Sequence, residues 1–481
     1  MPGFTVKVKW GRETYTDVQM NTDEPPLLFK AQVFALTGVR PERQKVMLRG
    51  ATLKDDTWDG IPVKDGVTFM MMGSKEEDIP SAPMQKTVFM EDMTEAELAS
   101  ALELPTGLTN LGNTCYMNAT VQCLNSVQEL HEALNSYQGN VNVMGDFGQN
   151  SADSITAAMR DLFQSMKKSP NVTPIVMVQV LHLAFPHFAE KAPQGGFRQQ
   201  DANECWTELV RMLQQKLDMK SALAESRKSF IDCYFGGTLE CELKCTESEE
   251  EPVTQSKENF LQLSCFISQD VKYMHSGLRS RMQETITKNS PTLGRDAVYT
   301  KTSKISRLPA YLSIQFVRFY YKEKEGINAK ILKDIKFPLD LDVFDLCTPE
   351  LQSRLTPMRT RFKEVEDKMA EIPPGKKGGP EEEKEAKKKK RKEPYFFPDD
   401  PGSNNSGYYA LQAVLTHQGR SSSSGHYLAW VRRKGDEWMK FDDDRVTPVH
   451  SEDVLKLSGG GDWHCAYVLL YGPRILEVDE E

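Results

Sequence analysis

Apolar and polar positions alternate from the first residues of the chain. Phe4, Val6, Val8 and Trp10 are separated by Thr5, Lys7 and Lys9, a period of two that predicts a half-buried strand. Gly11-Arg12 begins a tight turn, and residues 14–18 return as a second strand. Pro25 and Pro26 open a helix carrying Leu27, Leu28, Ala31, Val33, Phe34 and Ala35, with Gly38 just past its end. Residues 45–49 and 67–72 read as further strands, with Gly50 as a turn, so the order is ββαββ. Between residues 74 and 104 strong periodicity disappears and Glu, Asp, Pro and Ser dominate, which predicts a flexible tether. A helical period then appears at Met117, Val121 and Leu124. It returns at Trp206, Leu209, Val210, Leu213 and Leu217. Residues 311–319 and 408–416 read as strands, 348–369 as a heavily charged helix, and 322–336 as an exposed hairpin or loop. Residues 373–393 form a low-complexity insertion, and 474–481 an acidic tail.

Bulk properties narrow the class. With 481 residues, 39% hydrophobic and 27% charged, the chain can bury one to three ordinary cores. A net charge of −9 argues against a nucleic-acid-coating protein. No apolar run reaches the roughly 18 residues of a membrane span, and the first residues lack the apolar segment of a signal peptide. Nine cysteines, an odd number and a sparse one, fit free thiols in a reducing compartment. Cytoplasm is the expected location, and the basic end of the insertion leaves a nuclear one open. Among Cys233, Cys241, Cys245 and Cys265 only Cys241 and Cys245 form a close pair, whereas a zinc ribbon needs two. No metal or cofactor is expected.

The chemistry starts at residues 107–118, Gly-Leu-Thr-Asn-Leu-Gly-Asn-Thr-Cys-Tyr-Met-Asn. A Gly/Asn/Thr turn leads into the helix that follows, with Asn113 or Thr114 as N-cap. Cys115 therefore falls in the first turn, where the helix dipole and unpaired N–H groups favour a thiolate. A buried structural cysteine is the competing reading. Asp201 and Glu204 form a capping-box-like start to the helix carrying Trp206, and Gln199 and Gln200 lie just before it. Late in the chain, His426 opens the strand at residues 426–431, and a turn at residues 433–436 leads to residues 438–442. A hairpin centred on residue 434 sets Trp430 opposite Trp438 and His426 opposite Asp442. Opposed Cβ atoms lie about 4.5–5.5 Å apart, so Asp442 can orient the imidazole as a triad requires. In a regular strand Asp443 faces the other way, unless the strand end turns it back. His417 and His464 are weaker candidates for the same role.

Two resemblances join these parts. Residues 46–56, Val-Met-Leu-Arg-Gly-Ala-Thr-Leu-Lys-Asp-Asp, are similar to the corresponding stretch of ubiquitin-like domains. The ββαββ order therefore implies a β-grasp fold for residues 1–73. A cysteine box at residues 107–118, a glutamine box at 199–204 and Gly425-His426-Tyr427 resemble the ubiquitin-specific protease family over about residues 105–473. The resemblance implies an α+β protein, with a papain-like thumb, palm and fingers following the ubiquitin-like domain. It makes Cys115 the nucleophile, His426 the base, Asp442 its orienter and Asn110 the oxyanion-stabilising asparagine. It places Gln199, Gln200, Ser423, Gly425 and Tyr427 along the substrate cleft.

The implied activity is cysteine-type hydrolysis of the isopeptide bond at ubiquitin's C-terminal glycine. The substrates are ubiquitin and polyubiquitinated proteins, and neither a nucleic-acid partner nor membrane insertion is expected. A ubiquitin-like domain ahead of the protease domain is similar to the proteasome-associated branch. It implies a monomer that docks on the proteasome regulatory particle through residues 1–73 and is activated there. The Ser421–Ser424 loop is a candidate gate, since it directly precedes His426. A non-catalytic ubiquitin-binding scaffold, or a protease for another ubiquitin-like modifier, remains as an alternative.

Overall fold

Alternation becomes a sheet in the first unit, residues 1–93. The computed structural model describes residues 3–75, 104–142, 147–192, 195–219, 229–322, 327–370, 390–421, 424–461 and 463–479. Strands Gly3–Trp10, Glu13–Asn21, Lys45–Leu48, Ala51–Thr52 and Thr68–Met72 form a five-stranded sheet in which the last strand lies in the middle, parallel to the first. The second strand runs longer than its apolar pattern predicts. The helix Pro26–Thr37 covers one face and ends at Gly38, whose φ of 75° lets its N–H reach the Phe34 carbonyl. Val6, Val8, Phe29, Val33, Val46 and Phe69 fill the core between them. This is the β-grasp arrangement. Most of the stretch expected as a tether, residues 76–103, lies outside the described residues.

The second unit spans residues 94–481 and is built in three parts. The thumb is a set of helices: Cys115–Asn125, Gln128–Ser136, Phe147–Met166, Ile175–Ala184 and Ala202–Lys216. The palm is an eight-stranded sheet. Its order is Leu263–Phe266, Leu312–Val317, Cys465–Pro473, Tyr408–Ser421, Ser424–Lys434, Glu437–Asp442 and Arg445–His450, with Asp340–Asp342 pairing beside Tyr408–Ser421. The fingers are a four-stranded antiparallel sheet of Gln283–Ser290, Arg295–Arg307, Gly237–Cys245 and Thr254–Phe260. Residues expected as a hairpin or loop pair as Phe319–Lys322 with Ile327–Lys330.

Both faces of the palm are buried. Along Ser424–Lys434, Tyr427 and Ala429 enter the core shared with the thumb, while Leu428 and Trp430 enter the core on the other side. The helix Cys115–Asn125 sits inside the first of these cores. Residues 115–124 are all buried, so the stripe of Met117, Val121 and Leu124 is only part of what it hides. Within the expected insertion, Lys390–Lys392 pairs with Glu477–Asp479 at the acidic end of the chain, and residues 371–389 lie outside the description. Among the described residues, no helix is long and apolar enough to cross a membrane.

Candidate active site

The turn ahead of Cys115 is built by Asn110. Its Oδ1 accepts from the backbone N–H groups of Gly112 (2.9 Å) and Thr114 (3.2 Å) and from the Thr114 hydroxyl (3.3 Å). Gly112 and Asn113 both adopt left-handed φ, 96° and 57°, which residues with larger side chains avoid. Thr114 occupies the N-cap position, but its hydroxyl serves the turn: it accepts from the Leu111 N–H at 2.9 Å and does not cap the helix. Cys115 follows, 2% exposed, with the thumb behind it and the palm strands alongside.

Gln199 reaches the sulfur. Its Nε2 donates to Cys115 Sγ at 3.1 Å across 84 residues of sequence, and its Oε1 is buried without a hydrogen-bond partner. Gln200 turns away, donating to the His187 carbonyl at 2.8 Å. Asp201 caps the next helix, accepting from Asn203 (2.7 Å) and Glu204 (3.2 Å), and also receives the Tyr467 hydroxyl at 2.9 Å. The reciprocal half of a capping box is absent, because the Glu204 carboxylate points to His187 at 3.3 Å. Gln199 also lines a cavity of about 520 Å³, together with Gln200, Asp201, Gln315, Phe319 and Tyr467.

The base comes from the palm. His426 Nε2 lies 2.7 Å from Asp442 Oδ1, which leaves Nδ1 for the cysteine. The His426 pKa is raised from 6.5 to about 9. Its hydrogen bond with Cys115 is the largest cause; burial opposes the shift, and the bond to Asp442 adds to it. The ring is therefore an imidazolium at neutral pH, the electrostatic setting in which a cysteine attacks as thiolate. His417 and His464 are driven the other way. Burial pushes them down to about 3 and about 4, so both are neutral. His417 is spent on the Ser424 carbonyl at 3.0 Å, and His464 on the Thr416 hydroxyl at 3.3 Å.

The hairpin does not pair about residue 434. Ala429 faces Phe441, Trp430 faces Lys440 and Arg432 faces Trp438. Relative to the expected pairing the partner strand is displaced by two residues. An even displacement keeps every side chain on its expected face, so His426 meets Asp442 on the diagonal instead of directly opposite. Asp443 does turn back. At the strand end its φ is 53°, and its carboxylate accepts from Asn110 Nδ2 and Asn118 Nδ2, both at 2.8 Å. Its carbonyl accepts from the Leu108 N–H at 2.9 Å. Burial raises the Asp443 pKa, and the two asparagine bonds hold it back.

A profile of one protein family matches residues 106–471, with the description "Ubiquitin carboxyl-terminal hydrolase". The chain belongs to the ubiquitin carboxyl-terminal hydrolase family. It is 40% identical to ubiquitin carboxyl-terminal hydrolase 7 of Arabidopsis thaliana, over 99% of this chain and 100% of that one. It is 41% identical to ubiquitin carboxyl-terminal hydrolase 14 of Caenorhabditis elegans, over 98% and 94%. It is 38% identical to ubiquitin carboxyl-terminal hydrolase 6 of Schizosaccharomyces pombe, over 97% and 98%. The fold is similar to a chain in the structure of the SAGA Ubp8/Sgf11/Sus1/Sgf73 DUB module bound to ubiquitin aldehyde, with a TM-score of 0.52 and 21% identity over 77% of this chain and 69% of that one. The protein is thus a cysteine-type deubiquitinase acting on ubiquitin substrates.

Other residues of this hydrolase fall differently from expectation. Tyr427, expected along the cleft, is buried. It is 1% exposed, with its ring 4.6 Å from that of His417, because successive strand residues alternate faces and Tyr427 points with Ala429 into the thumb core. Gly425 is exposed at φ 114°, where a Cβ would lie 2.0 Å from the Gln418 carbonyl oxygen. Only glycine fits this hairpin. Ser423 lies outside the described residues. Asn110 has one amide N–H committed to Asp443. The amide that reaches Sγ is that of Gln199. Among the described residues, one trio of possible metal ligands is close enough to share an ion, His426, Asp442 and Asp443. The bonds above account for it. Cys245 and Cys265 lie in separate cores, and Cys241 Sγ sits 3.3 Å from the Ser303 hydroxyl.

Two functional contacts had no signal in the spacing of residues. The grip of Asp443 on Asn110 and Asn118 depends on a left-handed turn. The approach of Gln199 to Cys115 depends on how two distant segments pack.

Proposed function

We propose that this hydrolase cuts the isopeptide bond between ubiquitin's C-terminal glycine and a lysine, with Cys115 as nucleophile, His426 as general acid and base, and Asp442 as orienter. Cys115 attacks the glycine carbonyl. His426 then gives its proton to the leaving lysine amine, and water, deprotonated by His426, resolves the thioester. The Cys115 N–H, the remaining N–H of the Asn110 amide and the Gln199 amide are the donors available to the oxyanion. Losing one such donor typically costs about 10²–10³ in rate. The cavity lined by Gln199, whose amide reaches the sulfur, receives the ubiquitin tail. The observation that carries this reading is the His426–Asp442 contact at 2.7 Å, on a ring that its bond with Cys115 holds protonated.

Turnover of a ubiquitin C-terminal fluorogenic amide tests it. Wild-type protein, free or partner-bound, should release the fluorophore, and Cys115→Ala should not. No turnover by wild type would overturn the assignment. Residues 1–73 are the proposed anchor to the proteasome regulatory particle, and docking is the proposed activating event. Removing them should weaken that binding while sparing basal cleavage of the amide. Unchanged affinity would refute the anchor. A β-grasp domain on the same chain as the protease unit supports this, and cytoplasm is the location that suits it.

A further inference from the structure

A second histidine sits at the root of the hairpin that carries the base. His417 lies on the strand Tyr408–Ser421, fully buried, and pairs with Tyr427 of Ser424–Lys434. One step further out, Gln418 pairs with His426, and that is the last regular pair. The register then shifts before Ser421 meets Ser424. His426 is therefore carried at the point where the backbone ladder is broken. An irregularity of this kind leaves residues unpaired and bends the strand, whereas a catalytic group must be held within about 0.5 Å of its working position.

The His417 side chain supplies what the ladder lacks there. Its Nε2 lies 3.0 Å from the Ser424 carbonyl oxygen. A carbonyl only accepts, so Nε2 carries the proton and donates. Burial is the main reason the ring stays neutral; Lys330, His464 and His426 act in the same direction, and the bond to Ser424 opposes them. The imidazole also packs against the glycines of the irregular stretch. A Cβ on Gly425 would lie 2.8 Å from Nε2, and one on Gly419 would lie 3.2 Å from Cε1. The Phe319 and Tyr427 rings flank it at 5.3 Å and 4.6 Å. Lys330 Nζ donates to the His417 carbonyl at 2.6 Å. The paired strands Phe319–Lys322 and Ile327–Lys330 thus each contribute a contact to this one residue.

We propose that His417 is a positioning residue for catalysis: its bond to Ser424 replaces the missing ladder bond and sets His426, two residues along, in reach of Cys115 and Asp442 at once. This rests on the reading of His426 as the general base. His417 acts through the strand that carries the base, not on the reacting atoms.

The test pairs two replacements in the full chain. His417→Phe keeps an aromatic ring between Phe319 and Tyr427 and removes the N–H. His417→Gln keeps a side-chain N–H donor. His417→Phe should lower kcat on the ubiquitin fluorogenic amide by about 10–10²-fold, the scale for a catalytic group displaced by an ångström, with KM within twofold of wild type. His417→Gln should recover most of that loss. An NMR titration of His426 in His417→Phe should show its midpoint falling from about 9 toward 6.5, because its bonds with Cys115 and Asp442 lengthen together. A residue that only fills the core would lower the Tm of both variants without moving that midpoint. Wild-type kcat in His417→Phe, an unmoved midpoint, or equal losses in the two variants would overturn the proposal. Should His417→Phe fail to fold, the wild type still decides. Nitrogen NMR should show His417 as the neutral Nε2–H form down to about pH 5, given a pKa of about 3; an Nδ1–H form, or a ring that titrates above that pH, would overturn it. Failure of the wild type to turn over the amide would instead sink the active-site reading.

Discussion

Asp443 holds two asparagines with one carboxylate, and Asn110 leads directly into the turn before Cys115. Its replacement should therefore damage chemistry more than folding. Asp443→Asn removes the charge and sets amide N–H groups against each other. The expected result is a fall in kcat of about 10²-fold, the scale for a misplaced oxyanion donor, with the Tm close to wild type. Cleavage of the fluorogenic amide, together with a thermal melt, checks it.

The raised pKa of His426 makes a second residue-scale prediction. A folded-state value of about 9 against an ordinary 6.5 means the protonated ring is favoured by folding. That stabilisation is fully present below pH 6.5 and is lost as pH rises through about 9. The leaving amine also needs this proton, so kcat should decline above about pH 9. The interaction with Cys115 is the largest cause of the shift, so Cys115→Ala should return the ring toward 6.5, which an NMR titration of His426 reads directly. An unchanged midpoint would show that Asp442 and Asp443 hold the proton instead.

At the scale of elements, two glycines set how closely the catalytic segments approach. A Cβ on Gly107 would lie 2.4 Å from the Asp444 carbonyl oxygen, so the strand Gly107–Leu108 can touch the turn at Asp443 only because no side chain intervenes. Gly107→Ala should push the cysteine turn away from Asp443. The expected outcome is lost amide turnover in a folded protein, with about 1–3 kcal/mol of strain appearing as lower denaturant stability. The His426 hairpin shows why element type was easier to read than register. Its alternation is a local property of the chain. Its pairing depends on the turn, where Gly435 at φ 56° and a shift between Arg432 and Lys434 move the partner strand by two residues. The face survived because the displacement was even.

Across the whole molecule, buried arginines tie loops that no local pattern connects. Arg307 ends the longest finger strand. It binds Asp400 at 2.8 Å through both Nε and Nη2, the Cys233 carbonyl at 2.9 Å, and the Gly236 carbonyl. Arg318, fully buried, donates to the carbonyls of Ala466 (2.6 Å), Ile331 (3.1 Å), Lys333 (2.9 Å) and Ser458 (2.8 Å). Arg307→Ala leaves a half-buried carboxylate and two carbonyls without their donor, and should cost about 3–5 kcal/mol of stability. Urea denaturation followed by tryptophan fluorescence measures it; a loss below 1 kcal/mol would show that water replaces the guanidinium.

The sequence by itself determined the ββαββ order of the first unit, the helix that begins at Cys115, four strands of the palm, and a histidine and an aspartate on one face of a late hairpin. Each of these follows from spacing, alternation or turn chemistry within a short window, and such rules act along the chain. Only the tertiary structure decided which amide reaches the sulfur, where Asp443 points, and that Tyr427 belongs to the core. The Gln199 contact spans 84 residues, and those of Asp443 span 333 and 325. They form because the thumb helices and palm sheet bury their apolar faces together and bring polar groups at the seam within bonding distance. No local preference encodes that distance.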